Sequence, residues 1–293
     1  MHIVGHAKNR VALHSFLEKK DLPQSYLFSG PRSIGKKLVA LEFALGLVGK
    51  NEGTEISHPD ILVIGAEKEE GEKGKMKQKK ISVEQIRDGM LFLSRFPTIG
   101  ERRVLIVDEA EELSLGASNA LLKGLEEPNT TSILILVTHR PGALLPTLLS
   151  RMVPFTFHTV EKRELEDFFS HSKEKLPQFF FSLGLPGLIF RALDLPESFR
   201  QHQDLLGKLF RISTLPLRER IQLAEDLSRD EEALPLILEE WLTGMHFRVR
   251  ETGDARSLQK LLLLFDRIQV DTRHIFERQG SARLFLEKIL LAL

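Results

Sequence analysis

Short apolar runs alternate with amphipathic segments over residues 1–160. This alternation predicts an α/β domain with a largely parallel sheet, because strands that alternate with helices are joined by crossover connections. We expect five strands, in the runs SYLFSG (25–30), DILVIG (60–65), RVLIVDE (103–109), SILILVTH (132–139) and VPFTFH (153–158). The helix-like segments between them are KKLVALEFALGLVGK, SVEQIRDGMLFLSRF, ASNALLKGLEE and GALLPTLLSR.

The strand-like runs stop near residue 160, and leucine and phenylalanine then recur at helical spacing almost to the end of the chain. Residues 164–193 predict a small helical unit with a turn at 184–187, and four or five further helices are expected from Leu205 onwards. At 293 residues the chain exceeds the usual size of one domain. We therefore predict three domains, over residues 1–160, 161–203 and 204–293.

A phosphate-binding pattern follows the first predicted strand. GPRSIGKK matches GxxxxGK[ST] at Gly30, Gly35 and Lys36, and it lies between a strand and a helix, where such a loop is expected. In such loops backbone N–H groups close around phosphates and the lysine binds the terminal phosphates. Lys37 stands where the hydroxyl that ligates Mg²⁺ is expected. An ammonium cannot coordinate Mg²⁺, so we expect altered metal chemistry, with ATP or ADP bound weakly or not at all.

Two further strand ends carry candidate chemistry. VLIVDEAEEL presents Asp108 and Glu109 after a buried strand, where an aspartate can position Mg²⁺ and a glutamate can polarise water. Carboxylate pairs are common at strand ends, so an ordinary exposed strand end is the alternative. Thr138 closes SILILVT, and it either senses a phosphate or simply ends the strand as a β-branched residue.

Composition narrows the function classes. Lys plus Arg and Asp plus Glu number 41 each, so no overall positive field draws the chain onto nucleic acid. The lysine-rich stretch at 67–80 predicts a solvated loop, with contact to DNA phosphates as the alternative. The chain has no cysteine and its histidines lack metal-ligand spacing, so we expect no disulfide, no zinc and no other metal site. With no membrane-spanning run and no signal peptide, a soluble, cytoplasmic protein is expected.

Several stretches together carry a family resemblance. They are SYLFSGPRSIGKK, HPDILVI, ISVEQIRDG, VLIVDEAEELSLGASNALLKGLEEP and LLPTLLSRM, in this order. They resemble the AAA+ clamp-loader subunits of bacterial DNA polymerase III, over residues 1 to about 195. The resemblance implies an AAA+ P-loop domain with a five-stranded parallel sheet, then a small helical lid and an all-α collar domain. It also implies that the opening VGHAKNRVALHSFLEK is the family's N-terminal helix, with Val4 and Gly5 in a turn near the adenine.

Departures from the family pattern resemble its delta-prime branch, whose members are described as stators. The ATPase subunits, of gamma/tau type, carry a threonine or serine where this chain has Lys37. They also carry a basic residue in the lid, after the turn that here reads GLPG, where this chain has Leu188. The family's four-cysteine zinc module has no counterpart, because the interval before HPD is only LVGKNEGTEIS.

One motif of the resemblance concerns a neighbouring subunit rather than the chain's own loop. Ser150 and Arg151 match the family's SRC motif, with Met152 in place of the cysteine. The resemblance implies that Arg151 projects into the ATP site of a neighbouring subunit as an arginine finger. A guanidinium suits this role because it stays charged and donates several hydrogen bonds. The alternative is a surface arginine that caps the C-terminus of a helix, where a cation is favoured anyway.

Three functions remain open, and we expect the first. It is a delta-prime-like stator without ATPase activity of its own, which helps to load the sliding clamp onto primed DNA. Its implied partners are the gamma/tau and delta subunits in a pentameric ring within the DNA polymerase III holoenzyme, a DNA-directed DNA polymerase. The second is a clamp-loader ATPase, supported by Lys36, Asp108 and Glu109 and opposed by Lys37 and Leu188. The third is a DNA-binding module, which the neutral net charge does not support.

Overall fold

A computed structural model of the chain describes residues 3–18, 22–49, 58–70, 76–78, 80–126, 130–171, 178–194, 196–229, 234–252 and 282–292. The chain divides into two units, Met1–His158 and Thr159–Leu293. This division lies close to the boundary at residue 160 that the sequence predicts. The other predicted boundary, between residues 203 and 204, lies inside the second unit and stays a prediction.

The first unit combines a five-stranded sheet and a separate two-stranded ladder with helices. The strands are β1 (Ser25–Ser29), β2 (Ile61–Ile64), β3 (Lys68–Glu70), β4 (Met76–Gln78), β5 (Arg103–Val107), β6 (Ser132–Thr138) and β7 (Val153–Thr156). The α-helices are α1 (Ala7–Leu17), α2 (Lys36–Leu47), α3 (Val83–Ser94), α4 (Leu115–Glu126) and α5 (Pro146–Leu149). Short 3₁₀ helices cover Ala110–Glu112 and Pro141–Ala143.

The large sheet has the strand order β2-β5-β6-β1-β7, and every neighbouring pair is parallel. All five predicted strands and the α/β class are therefore confirmed. The central strands β5, β6 and β1 are buried at every position, which explains why they read as continuous apolar runs. Parallel strands direct their carboxyl ends to one edge, so the segments that follow β1, β5 and β6 meet there.

Helix α3 illustrates how local sequence fixes an element of this unit. Ser82 accepts the Gln85 backbone N–H, and the Gln85 side chain accepts the Ser82 backbone N–H in return. Such a capping box stabilises the helix start by about 1 kcal/mol. On its buried face Gly89 lies so close to β5 that a Cβ there would be 2.9 Å from a methyl group of Leu105. The helix therefore covers the sheet at short range.

The lysine-rich segment at 67–80 differs from the prediction of a solvated loop. Strands β3 and β4 pair there in antiparallel fashion, with Lys68 in register with Gln78. Lys and Glu are depleted in strands, so residue propensity gave no strand signal. Whether this segment contacts DNA stays a prediction.

In its described residues the second unit contains helices and the turns between them, without a strand. Its α-helices are α6 (Lys162–Phe168), α7 (Pro186–Asp194), α8 (Pro196–Phe210), α9 (Leu217–Ser228), α10 (Leu234–Thr252) and α11 (Ala282–Ala292). Two 3₁₀ helices cover Gln178–Leu183 and Ile212–Thr214. The predicted turn at 184–187 begins with Gly184 at φ 69° and leads into α7. No helix in the described ranges has the length and apolar character needed to span a membrane.

Helix α10 packs against several elements of the second unit. At Gly244 a Cβ would lie 2.3 Å from a methyl group of Leu183, so this helix packs closely on the 3₁₀ helix before α7. Glu240 is 1% exposed, and its carboxylate pairs with Arg191 at 3.2 Å and with His202 at 2.6 Å, which ties α10 to α7 and α8. Beside it, Trp241 is fully buried in an apolar cluster formed by α8, α9, α10 and α11.

Candidate functional site

The phosphate-binding pattern forms a tight loop between β1 and α2. Gly30 has φ 147° and Gly35 has φ 100°, conformations that favour glycine. A Cβ at residue 30 would lie 2.3 Å from the carbonyl oxygen of Phe157. The loop thus passes directly against the chain after β7, and only glycine allows this approach.

The Lys36 side chain is folded back onto its own loop. Its Nζ donates to the carbonyl oxygens of Gly30 at 2.7 Å and Pro31 at 2.6 Å, and the residue is 7% exposed. An ammonium has three donors, and these bonds use two of them. A phosphate at this loop would therefore compete with the loop's own carbonyl groups for Lys36.

Lys37 lies against the aspartate that would hold a metal ion. Its Nζ is 3.1 Å from Oδ2 of Asp108, and Oδ1 of Asp108 accepts the Glu109 backbone N–H at 3.0 Å. The Lys37 side chain is half-exposed, so this ion pair stabilises the fold by at most about 1 kcal/mol. Its effect on ligands is larger, because an ammonium beside Oδ2 repels a second cation. These residues do not fit a divalent metal ion.

Glu109, predicted to polarise water, is paired with an arginine of the loop. Nη1 of Arg32 lies 3.4 Å from Oε1 of Glu109, whose backbone has the left-handed φ of 51°. Burial raises the pKa of the Glu109 carboxyl, and the charges of Asp108 and Glu111 raise it further, while Arg32 acts in the opposite direction. The contact brings the end of β5 against the loop.

Glu111 is the centre of a buried polar cluster that joins the ends of β5 and β6. Its Oε2 accepts the Thr138 hydroxyl at 2.5 Å, and its Oε1 contacts Nδ1 of His139. Its side chain has no exposed surface. Burial alone would raise the pKa of Glu111, but the bonds from His139 and Thr138 outweigh it and lower the pKa to about 2. Thr138, predicted to sense a phosphate, thus donates its hydroxyl hydrogen to a protein carboxylate.

His139 links this cluster to the phosphate loop. Nε of Arg32 donates to Nε2 of His139 at 2.9 Å. Because a guanidinium can only donate, Nε2 must accept, and the ring hydrogen is then on Nδ1, facing Glu111. Nη2 of Arg32 also lies 3.8 Å from Oε1 of Glu111. Protein side chains therefore join the loop, the end of β5 and the end of β6.

The N-terminal turn lies beside the same loop. Val4 is 4% exposed, and Gly5 has φ 80°. The next residue, His6, contacts the Ile34 carbonyl oxygen through Nε2 at 2.7 Å, and its ring lies edge-on to Phe157. Burial lowers the pKa of His6, and the nearby Lys36 charge acts in the same direction. The turn predicted to lie near an adenine is therefore next to the loop.

Arg151 lies at the edge of the sheet opposite the phosphate loop, near the beginning of β1. It follows α5 and precedes β7, whose Val153 is in register with Tyr26 near the beginning of β1. Arg151 is exposed, and its Nη1 donates to the Thr147 carbonyl oxygen at 3.1 Å. The Ser150 hydroxyl donates to the same carbonyl at 3.1 Å. Arg151 thus caps a short helix, and its side chain still faces solvent.

The predicted site residues fall into two groups. Those around the loop are Val4, Gly5, Gly30, Gly35, Lys36, Lys37, Asp108, Glu109 and Thr138. Ser150 and Arg151 lie apart from them, at the other sheet edge. Leu188 is fully buried in α7 of the second unit. Their roles toward nucleotide stay predictions.

Sequence reasoning missed three residues that hold the loop. They are Arg32, Glu111 and His139. An arginine inside the loop and a second glutamate in DEAEE are visible signals in the sequence. No spacing rule shows that they meet, because the contact depends on the register of β5 with β6. Among the described residues, no group of three or more metal-ligating side chains is arranged to hold a metal ion.

Comparison with known proteins assigns the chain to a family. The model described as "DNA polymerase III, delta subunit" matches residues 5–161, which is more than half of the chain. The chain belongs to this family. It is 36% identical to the DNA polymerase III subunit delta′ of Pseudomonas aeruginosa over 143 residues, which are 44% of this chain and 41% of that protein. The predicted resemblance to delta-prime subunits is confirmed.

One further relative and one solved structure are also similar to this chain. The tau subunit of Bacillus subtilis is 31% identical over 179 residues, 56% of this chain and 30% of that protein. The chain thus spans less than half the length of these relatives. A solved DNA polymerase III gamma subunit-related protein of Thermotoga maritima covers 97% of both chains at 19% identity and a TM-score of 0.49, too low to add to the assignment. Because both delta′ and tau match, a choice between them must rest on the site.

Proposed function

We propose that the chain is a delta-prime-like stator of the bacterial clamp loader, which does not hydrolyse ATP itself and lends Arg151 to the ATP site of a neighbouring subunit. The observation that carries the proposal is the separation of Arg151 from the chain's own phosphate loop. Arg151 is beside the amino end of β1 and the loop is at its carboxyl end. With a rise of about 3.3 Å per residue, this strand separates them by roughly 16 Å.

That separation favours action on another subunit. A finger must donate directly to the phosphate oxygens, within about 3 Å. Arg151 cannot do this at its own loop while the sheet is intact, yet it is exposed and is paired only with a backbone carbonyl among the contacts of the described residues. Such a bond is easily exchanged, because the net free energy of an exposed hydrogen bond is about 1 kcal/mol.

Four contacts support the absence of hydrolysis at the chain's own loop. Each charged or hydroxyl side chain with an expected role toward phosphate, metal or water has a protein partner. The contacts are Lys36 with the loop carbonyls, Lys37 with Asp108, Glu109 with Arg32 and Thr138 with Glu111. ATP or ADP bound weakly without metal is compatible with this arrangement, and the proposal includes no zinc.

The partners follow from the family and are part of the proposal. They are gamma/tau ATPase subunits and a delta subunit in a pentameric ring, the sliding clamp, and primer–template DNA held by the whole complex. The helical second unit would contribute the lid and the collar that joins the ring. The place of action would be the cytoplasm, within the DNA polymerase III holoenzyme.

An ATPase of gamma/tau type is the alternative, and one observation favours it. Gly30 and Gly35 keep the backbone conformations of a tight loop, with Lys36 at the start of α2. If ATP displaced the carbonyl partners of Lys36, the loop could still bind phosphates. Hydrolysis would then need another route to a metal ion, because Lys37 is beside Asp108.

The deciding experiment measures DNA-dependent ATP turnover of a clamp loader reconstituted with this chain. The variants are wild type, Arg151→Ala and Lys36→Ala, each with assembly checked by gel filtration. We expect Arg151→Ala to slow turnover at the neighbouring site by roughly 10³-fold or more, the size of effect known for trans arginine fingers. Lys36→Ala should leave turnover close to wild type. If Lys36→Ala slows turnover and Arg151→Ala does not, the chain is an ATPase and the proposal fails.

A further inference from the structure

The backbone of Arg151 is fixed on both sides of its Cα atom. Its N–H donates to the Leu148 carbonyl oxygen at 3.1 Å, and its own carbonyl oxygen accepts the Ser25 hydroxyl at 2.6 Å. The next residue, Met152, is 7% exposed and belongs to the same apolar cluster as Leu148. Only the side chain of Arg151 is therefore free to change direction.

Ser25 lies outside the pairing of β1 with β7, although it is in register with Leu134 of β6. It is the first residue of β1, and the register between β1 and β7 begins one residue later, with Tyr26 opposite Val153. At 7% exposure Ser25 is buried like its neighbours in the strand. An apolar residue would complete the strand equally well by packing, but only a hydroxyl here can donate to the Arg151 carbonyl.

We propose that Ser25 is a positioning residue for the arginine finger, which acts by fixing the Arg151 carbonyl and hence the direction in which the guanidinium leaves the surface. This inference rests on the proposed function, because it gives Ser25 a role only if Arg151 acts on a neighbour's ATP. A misplacement of about 1 Å can reduce a catalysed rate by about 10²-fold. One hydrogen bond at the base of the finger can therefore matter far from the chemistry.

The test uses Ser25→Ala in the reconstituted clamp loader, with kcat and KM for ATP measured in the presence of primed DNA. We expect kcat to fall by roughly tenfold, with KM unchanged, because a finger acts on charge that develops in the transition state. Ser25→Thr keeps the hydroxyl and should restore most of the wild-type kcat.

Ser132→Ala is a matched control within the same sheet. Ser132 is the first residue of β6, is 6% exposed, and donates its hydroxyl to the Leu93 carbonyl oxygen at 2.7 Å. The substitution removes the same kind of buried bond, but at the end of α3 rather than at the finger. Its kcat should match wild type. An equal fall in kcat for Ser132→Ala would overturn the inference, because general destabilisation would then explain both.

A double variant separates positioning from any independent role. If Ser25 acts through Arg151, Ser25→Ala in an Arg151→Ala background should cause no further loss of kcat. A further tenfold loss would contradict the inference, as would a wild-type kcat for Ser25→Ala alone in a loader that Arg151→Ala slows. If Arg151→Ala itself has no effect, the proposed function has failed, which is a distinct result.

Discussion

The Nζ atom of Lys37 lies 3.1 Å from Oδ2 of Asp108. In a phosphate loop that uses metal, the residue at position 37 and the aspartate after β5 both supply oxygen atoms to Mg²⁺. Here one of these residues supplies a positive charge and the other neutralises it. The loop thus has an ammonium beside the aspartate that would hold a metal ion, and an ammonium donates hydrogen bonds but cannot coordinate oxygen ligands as Mg²⁺ does.

Lys37→Thr should give the loop a dependence of nucleotide binding on Mg²⁺ that we expect to be absent in the wild type. The hydroxyl could ligate Mg²⁺, and Asp108 would lose its ammonium partner and regain an unshared carboxylate. We expect nucleotide affinity of the variant to be at least about tenfold higher with Mg²⁺ than with EDTA, a difference of 1.4 kcal/mol. Titration calorimetry of the purified chain with ATP and ADP would measure it.

Lys37→Met serves as the control for that substitution. It removes the charge and keeps the length of the side chain, but it supplies no oxygen ligand. Its nucleotide binding should not depend on Mg²⁺. If wild type already binds ATP more tightly with Mg²⁺, then the contact between Lys37 and Asp108 does not exclude the metal.

Glu111→Gln should destabilise the chain and weaken its response to acid. The Glu111 pKa is lowered from 4.5 to about 2 in the folded chain, so the stabilisation is complete above pH 4.5 and is lost as the pH falls toward about 2. Glutamine cannot accept from both Thr138 and His139, because its NH₂ group would face one of these donors. We expect a loss of about 1–3 kcal/mol in the free energy of unfolding at neutral pH.

Urea unfolding at neutral pH and near pH 3 would measure both effects. Glu112→Gln is the matched control, since Glu112 is adjacent in the chain but pairs at 2.9 Å with the exposed Arg140. Glu112→Gln should lower the free energy of unfolding by less than about 1 kcal/mol. Equal losses for the two variants would show that the buried cluster has no special role in stability.

Gly30→Ala and Gly35→Ala should lower the stability of the fold by different amounts, although both glycines have positive φ. At residue 35 no atom lies within 4 Å of an added Cβ, so the cost is backbone strain alone, about 1–2 kcal/mol. At residue 30 the Cβ would meet the Phe157 carbonyl oxygen at 2.3 Å, so strain and overlap add. Thermal unfolding of the two variants should therefore show the larger loss for Gly30→Ala.

The sheet could be predicted from the sequence because each of its strands carries its own signal. Strands buried on both faces read as apolar runs, and helices between them imply parallel pairing. The ladder of β3 and β4 could not be predicted, since it is made of charged residues and depends on backbone pairing. The predicted boundary between residues 203 and 204 stays a prediction, and α10 packs on the 3₁₀ helix that ends at Leu183, on the other side of that boundary.

The sequence motifs mark the ends of β1, β5 and β6, but they do not show which partners the side chains there have. In the structure Lys37 of the loop after β1 lies beside Asp108 at the end of β5, and Lys36 contacts the loop's own carbonyl groups. Motif spacing could not indicate that Arg32 contacts Glu109 and is joined to Glu111 through His139. Such contacts depend on side-chain directions at three strand ends, which no single segment encodes.

The placement of Trp241 gives this chain a built-in spectroscopic reporter. It is the only tryptophan, it is fully buried, and its Nε1 has no hydrogen-bond partner in the described part of the chain. Its emission in the folded state should therefore be that of an indole in apolar surroundings, shifted to the blue. The only tyrosine, Tyr26, is buried in the first unit. One chromophore therefore follows the melting of each unit, without any label.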